Sequence, residues 1–308
     1  MILQLDSVCN KIVGLLTFGV ETPIHVGAGG VEVRRSFLKV EDRLVIPSST
    51  WKGAFRSMSE RIAKNMKFNG VSSLSVKFYR ETTRGISYSP ANYKDAEFVN
   101  LRNELISVHK GLKPEALGIS RGDVDIAIRE LGFSEEVEKL NGYDETTWNW
   151  FTEALLAVNC PIGRLYGNNY VAAKVRFVDT VIKGRTSERA GIGINRRALK
   201  VEEEFLYFME ALSESDVKLM FIACNLKPGE GDSKLFASTL QYVREMGMSI
   251  GGSKSRGLGH LTIKGAKIFI IDLTTGSLDD KMLRIVNPFK HVPPTDLEGL
   301  IKWLRGWN

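Results

Sequence analysis

The sequence predicts an α+β fold whose elements run β-α-β-β-α-β, and three observations predict it. Four segments read as strands, two of them by period-two alternation of apolar residues. Two amphipathic helical segments stand between them. The remaining long stretches interrupt that order without changing it.

In chain order, Ile12, Leu16, Phe18 and Val20 share one face at period two, which predicts a strand over 12–20. A loop, His25-Val26-Gly27-Ala28-Gly29-Gly30, follows, and residues 34–46 read as extended up to Ile46-Pro47. The first helix starts there. Ser48 and Ser49 are residue types that cap helices, and Trp51 opens an apolar stripe with Ala54, Phe55, Met58, Ile62 and Met66. Lys52, Arg56, Lys64 and Lys67 fall on the opposite side, so this helix is expected to bury one face and show cations on the other. The second strand spans 171–178, with Val171, Ala173, Val175 and Phe177 facing one way and Lys174 and Arg176 the other. An apolar strand at 217–224 precedes a helix at 233–246 with Leu235, Phe236, Leu240 and Val243 inward. A glycine-rich loop at 247–259 leads to the last strand, 261–271. This order is that of the ferredoxin-like split βαβ motif. The open sheet face of that motif is the RNA platform of the RRM fold. The interruptions are a mainly helical insertion over 69–158, a Gly- and Arg-rich hairpin beginning at 183, and a C-terminal extension over 272–308.

Charge narrows the function. The net charge is +6, but it is unevenly spread. Residues 48–67, 183–200 and 247–267 together carry +13, whereas 95–145 carry −6. Concentrated positive charge suits a polyanion, because neutralising phosphates releases condensed counterions. Each stretch by itself also fits a solvated surface. Cys9, Cys160 and Cys224 are far apart and form no CxxC pair, so they read as reduced thiols of a cytoplasmic protein rather than a zinc or redox site. No run of 18 apolar residues predicts a membrane span, and the N-terminus lacks the basic region and cleavage site of a signal peptide. No HExxH, Walker A or Rossmann fingerprint supports a metabolic or nucleotide-dependent enzyme. No cofactor is expected.

Two segments carry the chemistry. In Gly251-Gly252-Ser253-Lys254-Ser255-Arg256-Gly257-Leu258-Gly259-His260, glycines let the backbone approach a ligand closely, and Lys254 and Arg256 add charge. It is no P-loop, since Leu258 follows Gly257 and the order is helix–loop–strand. In Ile46-Pro47-Ser48-Ser49-Thr50-Trp51-Lys52-Gly53-Ala54-Phe55-Arg56-Ser57, a helix N-terminus with serine hydroxyls, extended by Lys52 and Arg56, offers an anion site.

These segments resemble motifs of the RAMP superfamily. IPSSTWKGAFRS is similar to its IPGSSLKGALR motif, and GGSKSRGLGHLTI to its C-terminal glycine-rich loop. TPIHVGAGG resembles its PLHIGGG strand end, and CPIGRLYGNNYVAAKVRFVDT its CPVCRLFG…ASRLRFSDA stretch. GIGINRRALKVEEEFLYFMEAL resembles its VAIDR…GALFEYEVV hairpin. The nearest kind of member is the repeated backbone subunit of type III CRISPR interference complexes. The resemblance implies a single ferredoxin-like, RRM-variant domain over 1–308 that assembles with other RAMP subunits along a CRISPR guide RNA. It also implies a thumb-like hairpin over 183–205 that meets the guide–target RNA duplex. The RNA-binding residues expected on these grounds are Ser48, Ser49, Lys52, Arg56, Arg189, Arg196, Arg197, Gly251, Gly252, Lys254, Ser255, Arg256 and Gly257.

Two catalytic alternatives remain open. Processing endoribonucleases of the superfamily use an N-terminal histidine as general base, which makes His25 a weak candidate. Relatives that cut target RNA carry an aspartate between PLHIGGG and IPGSS, and use a divalent metal. Its place here falls near Arg34 or Arg35. A guanidinium keeps its proton and has no acceptor, so it serves neither as base nor as metal ligand. Glu32 is the nearby carboxylate. The expectation is therefore an inactive or poor nuclease. A filament-capping subunit is the third alternative.

Overall fold

The computed structural model describes residues 8–27, 34–63, 96–109, 145–168, 170–195, 200–213 and 216–307. The elements run β1 (Asn10–Val20), β2 (Arg34–Arg35), β3 (Lys39–Val40), β4 (Arg43–Ile46), α1 (Ser48–Ala63), α2 (Ala96–His109), α3 (Glu145–Asn159), α4 (Pro161–Tyr166), β5 (Val175–Phe177) and β6 (Thr180–Ile182). Then follow β7 (Thr186–Asn195), β8 (Lys200–Leu212), β9 (Asp216–Cys224), α5 (Gly231–Met246), β10 (Met248–Ser249), β11 (His260–Asp272), α6 (Leu278–Val286), α7 (Pro288–His291) and α8 (Leu297–Arg305). They form two compact units. The larger holds the described residues of Val8–Met58, Val175–Gly229 and Ala237–Asn308; the smaller holds those of Ser59–Lys174 with Glu230–Phe236.

The larger unit is a mixed α+β body on a five-stranded antiparallel sheet ordered β10-β11-β1-β9-β5. Since β1 and β5 are each antiparallel to β9, they run parallel to one another with β9 between them. Along β1, Ile12, Leu16 and Phe18 point to one face and are at most 1 % exposed. There Phe18 stacks on Trp51 of α1 at 5.5 Å, and Phe55 lies 4.9 Å from Phe177. Each such fully buried side chain contributes roughly 1.5–3 kcal/mol. Trp51 can be buried because its indole N–H donates to Thr180 Oγ1 at 3.1 Å.

The opposite sheet face is not open throughout. Val13, Phe269 and Ile271 form a buried cluster there with Met220, Leu273 and Val292. Phe289 of α7 meets Phe269 edge-on at 5.0 Å. The C-terminal extension supplies this cover. It then crosses the β11 edge, where Thr295 and Ile268 exchange two backbone hydrogen bonds of 2.7 and 2.8 Å. Finally α8 buries Leu297, Leu300, Ile301 and Leu304, and Glu298 pairs with Arg244 of α5. The expected RNA platform is thus closed at this corner, and the aromatic it would offer, Phe269, is 1 % exposed.

Two small sheets complete the unit, β3-β4-β6 and β2-β8-β7. The extended stretch 34–46 is broken into three short strands. Its β3–β4 turn places Glu41 and Asp42 at φ of 47° and 61°, the conformation that two-residue hairpin turns require. The strand expected over 171–178 is regular only at Val175–Phe177. The hairpin strands run to Leu212, beyond the expected end at 205.

The smaller unit contains α2 and α3, which fall on the insertion expected over 69–158; the rest of that insertion lies outside the described residues. Phe98, Leu101 and Leu105 of α2 and Trp148, Phe151 and Leu155 of α3 are buried. The unit extends past the expected insertion because polar contacts draw in flanking segments. Ser59 hydrogen-bonds Tyr166 through their hydroxyls at 2.7 Å, and Asp232 takes Arg164 at 3.1 Å and Lys174 at 2.8 Å.

Candidate nucleic-acid interface

The glycine-rich loop is held by the segment around His25. Gly252 N–H donates to the His25 carbonyl at 2.8 Å, and Gly259 N–H to that of Pro23 at 2.9 Å. Gly251 adopts φ +77°, and a Cβ built there would stand 2.2 Å from the His25 oxygen, so this close approach needs glycine. The loop then presents a 3-10 turn, Lys254–Arg256, none of it buried, between Ser253 and Gly257 in left-handed conformation. Ser255 and Gly257 are exposed with it.

The turn lies against the β7–β8 hairpin. Paired residues of a ladder share a face. Arg35 of β2 neighbours Met209 of β8, which neighbours Arg189 of β7, and Tyr207 pairs with Gly191 further along the same face. Arg256 reaches this face, where its guanidinium donates to the Tyr207 hydroxyl and lies 5.4 Å from the ring centroid. The Arg35 guanidinium lies 5.1 Å from the same centroid. Gly191 makes room for the ring, since a Cβ there would sit 2.2 Å from its Cζ. The other face is neutralised. Arg34 pairs with Glu188 at 3.3 Å, and Glu210 accepts from Phe37 N–H at 2.9 Å and holds Lys39 at 3.7 Å.

A profile of the RAMP superfamily matches residues 17–262, from within β1 to within β11. The chain belongs to the RAMP superfamily. No curated protein matches it in a sequence comparison. The RAMP family is linked to CRISPR-associated RNA binding or processing, and its members work with RNA and other Cas subunits. Among the described residues of this RAMP protein, no helix is long and apolar enough to cross a membrane.

The start of α1 differs from the sequence expectation. The Pro47 carbonyl accepts from Thr50 and Trp51, so Ser48 and Ser49 are already inside the helix. The end is capped from elsewhere, because Ser48 N–H donates to Asp179 Oδ1 at 2.7 Å. That backbone bond, followed by one from the Ser48 hydroxyl, holds the Asp179 carboxyl below its usual range. Part of the expected anion site is therefore filled by the protein's own carboxylate. Lys52 is exposed, yet desolvation first and the Arg56 charge second hold its ammonium below the usual value. Arg56 is 5 % exposed, so it is buried rather than displayed. Trp51, Phe55, Arg56, Ser59 and Ala63 are all buried, a wider arc than the apolar stripe alone.

His25 is 6 % exposed, and its Nδ1 faces the Glu210 carbonyl at 2.7 Å. A carbonyl accepts only, so Nδ1 carries a proton and this ring nitrogen is occupied in joining the loop to the hairpin. Glu32, Arg196 and Arg197 lie outside the described residues. In this RAMP chain the structure brings together Arg189, Arg256 and the 251–257 loop. It leaves Ser48 beside Asp179 and does not bring Ser49 or Lys52 to that group. Sequence reasoning missed Tyr207 and treated Arg35 merely as an absent aspartate.

Proposed function

We propose that this RAMP protein binds CRISPR guide RNA as a structural, backbone-type subunit of a cytoplasmic type III interference ribonucleoprotein and helps present the guide to target RNA. The core is read as ferredoxin-like. Numbering the strands of β-α-β-β-α-β by sequence, the observed order is fourth-first-third-second, which supports that reading. The hairpin β7–β8 is the thumb. The acidic balance of 95–145 suits contact with protein rather than RNA.

The observation that carries the reading is the meeting of Arg256 with Tyr207. The glycine-rich loop and the hairpin, each assigned to RNA by motif, form one exposed cationic surface. Binding to such a surface is electrostatic and little dependent on sequence. The test is a titration of fluorescein-labelled single-stranded RNA of mixed sequence across a series of salt concentrations. Affinity should fall steeply with salt, and replacing Lys52, Lys254 and Arg256 together by alanine should cost several kcal/mol, at about 1 kcal/mol or more for each charge-assisted contact. Wild-type protein without measurable RNA affinity at low salt overturns the proposal. Subunit stoichiometry in the native ribonucleoprotein separates a repeating subunit from a capping one.

In the same reading, the chain is a poor target-RNA nuclease, because Arg34 and Arg35 stand near the family's aspartate position. Cleavage of target RNA by a reconstituted complex with magnesium or manganese tests this. A set of cuts that Glu32→Ala abolishes refutes it.

A further inference from the structure

Arg35, Arg189 and Arg256 differ from the arginines of the larger unit that meet carboxylates: Arg34 meets Glu188, and Arg244 meets Glu245 and Glu298. No carboxylate among the described residues pairs with Arg35, Arg189 or Arg256, although all three are exposed on or against one face of the β2-β8-β7 sheet. Like charges gathered without counter-charge repel one another, and an anion relieves that repulsion. The gathering is built rather than incidental. Tyr207 holds two of the guanidiniums by ring contact, and one of these also by a hydrogen bond; Gly191 is the residue that lets the ring lie there. Side chains ordered before binding lose less freedom on binding.

We infer that Arg35, Arg189 and Arg256 form a phosphate grip for a single RNA strand, with Tyr207 as the positioning residue that presets Arg35 and Arg256. This rests on the proposed RNA-binding function and adds to it two residues, Arg35 and Tyr207. The ligand class is a run of neighbouring phosphodiesters. Base identity is not read, because the Tyr207 ring is already occupied by guanidiniums. The residue near the family's aspartate position, Arg35, has a use of its own as an anion ligand.

The experiment uses the full chain and a fluorescein-labelled 20-nucleotide single-stranded RNA, with the logarithm of affinity plotted against the logarithm of salt. Each phosphate contact on a single strand contributes about 0.7 to the slope. Arg35→Ala should weaken binding about tenfold and flatten the slope by about 0.7, and Arg35→Ala with Arg256→Ala should flatten it by about 1.4. Tyr207→Leu should weaken binding several-fold while keeping the wild-type slope, because the charges remain but are no longer preset. Tyr207→Phe, which keeps the ring, should recover part of that loss. Arg34→Ala, on the neutralised face, should leave the slope unchanged. Thermal unfolding of each variant checks that it is folded. If wild type binds RNA with a steep slope but the double variant keeps that slope, the grip is refuted and RNA binding stands. If wild type binds no RNA, the functional proposal itself fails. A Tyr207→Leu variant whose slope flattens as much as that of Arg35→Ala refutes the positioning role.

Discussion

Replacing Asp232 with asparagine removes a negative charge from between two cations. The Asp232 side chain is fully buried; its Oδ2 lies 2.8 Å from Lys174 Nζ and 3.1 Å from the Arg164 guanidinium, and its Oδ1 accepts from Ser233 N–H at 2.9 Å. Lys174 keeps 14 % of its side chain exposed and Arg164 30 %, and Arg164 has a second partner in Glu230 at 3.3 Å. Lys174 therefore bears most of the loss. Breaking a buried pair by removing one partner costs about 3–5 kcal/mol, and the partial exposure of Arg164 places this case near about 3 kcal/mol. The assay is amide hydrogen exchange of peptides covering α3 and α4, where such a loss speeds exchange about a hundredfold. Unchanged protection there refutes the reasoning. The pH dependence has a definite sign. Burial alone pushes the Asp232 carboxyl up, but the charges of Arg164 and Lys174, with hydrogen bonds from Lys174 and Ser233, outweigh it and hold the group below its usual range. Its contribution is then complete above the unfolded carboxylate value of about 4 and is lost as pH falls through the lower folded value. The asparagine variant should lack that part of the acid sensitivity.

Gly251→Ala forces a Cβ against the His25 carbonyl at positive φ, so it should destabilise the loop by about 1–3 kcal/mol and weaken RNA binding without changing the salt slope, as read by thermal unfolding and titration. Asp179→Ala removes the cap of α1 and should cost about 1 kcal/mol, with faster hydrogen exchange in the first turn of α1. Because the Asp179 carboxyl is held low, that contribution should persist above the ordinary carboxylate range and fade as pH falls through its depressed value. Phe289→Ala removes the edge contact that covers Phe269 and should lower stability by about 1 kcal/mol in urea unfolding.

Much of the site was legible because glycine and charge act locally. Glycine permits the positive φ found at Gly251, Gly257 and Gly259, and charge favours the exposure of Lys254 and Arg256 between them. The role of Tyr207 was not legible. Counting outward from the Asn195–Lys200 pair, with no irregularity, would place Glu188 opposite Tyr207. The register shifts between Ile192 and Ile194, and Gly191 takes that place instead. Nothing in the alternation of hydrophobic residues announces such a shift.

By itself the sequence determined where five of the main elements lie along the chain. Period two gave β1, an apolar run gave β9, the segment after the glycine-rich loop gave β11, and period 3.6 gave α1 and α5, because each residue's face depends only on its neighbours along the chain. It also determined the superfamily, through ordered motifs spread over the matched residues 17–262. Tertiary structure decided what each charged residue faces. Arg56 stands on the polar side of its helical wheel yet is buried, Asp179 rather than Ser48 or Ser49 caps α1, and Phe289 closes the sheet over Phe269. Arg256 and Tyr207 meet although 49 residues separate them. Local periodicity sets which way a side chain points; what waits there is supplied by segments whose approach depends on register and packing.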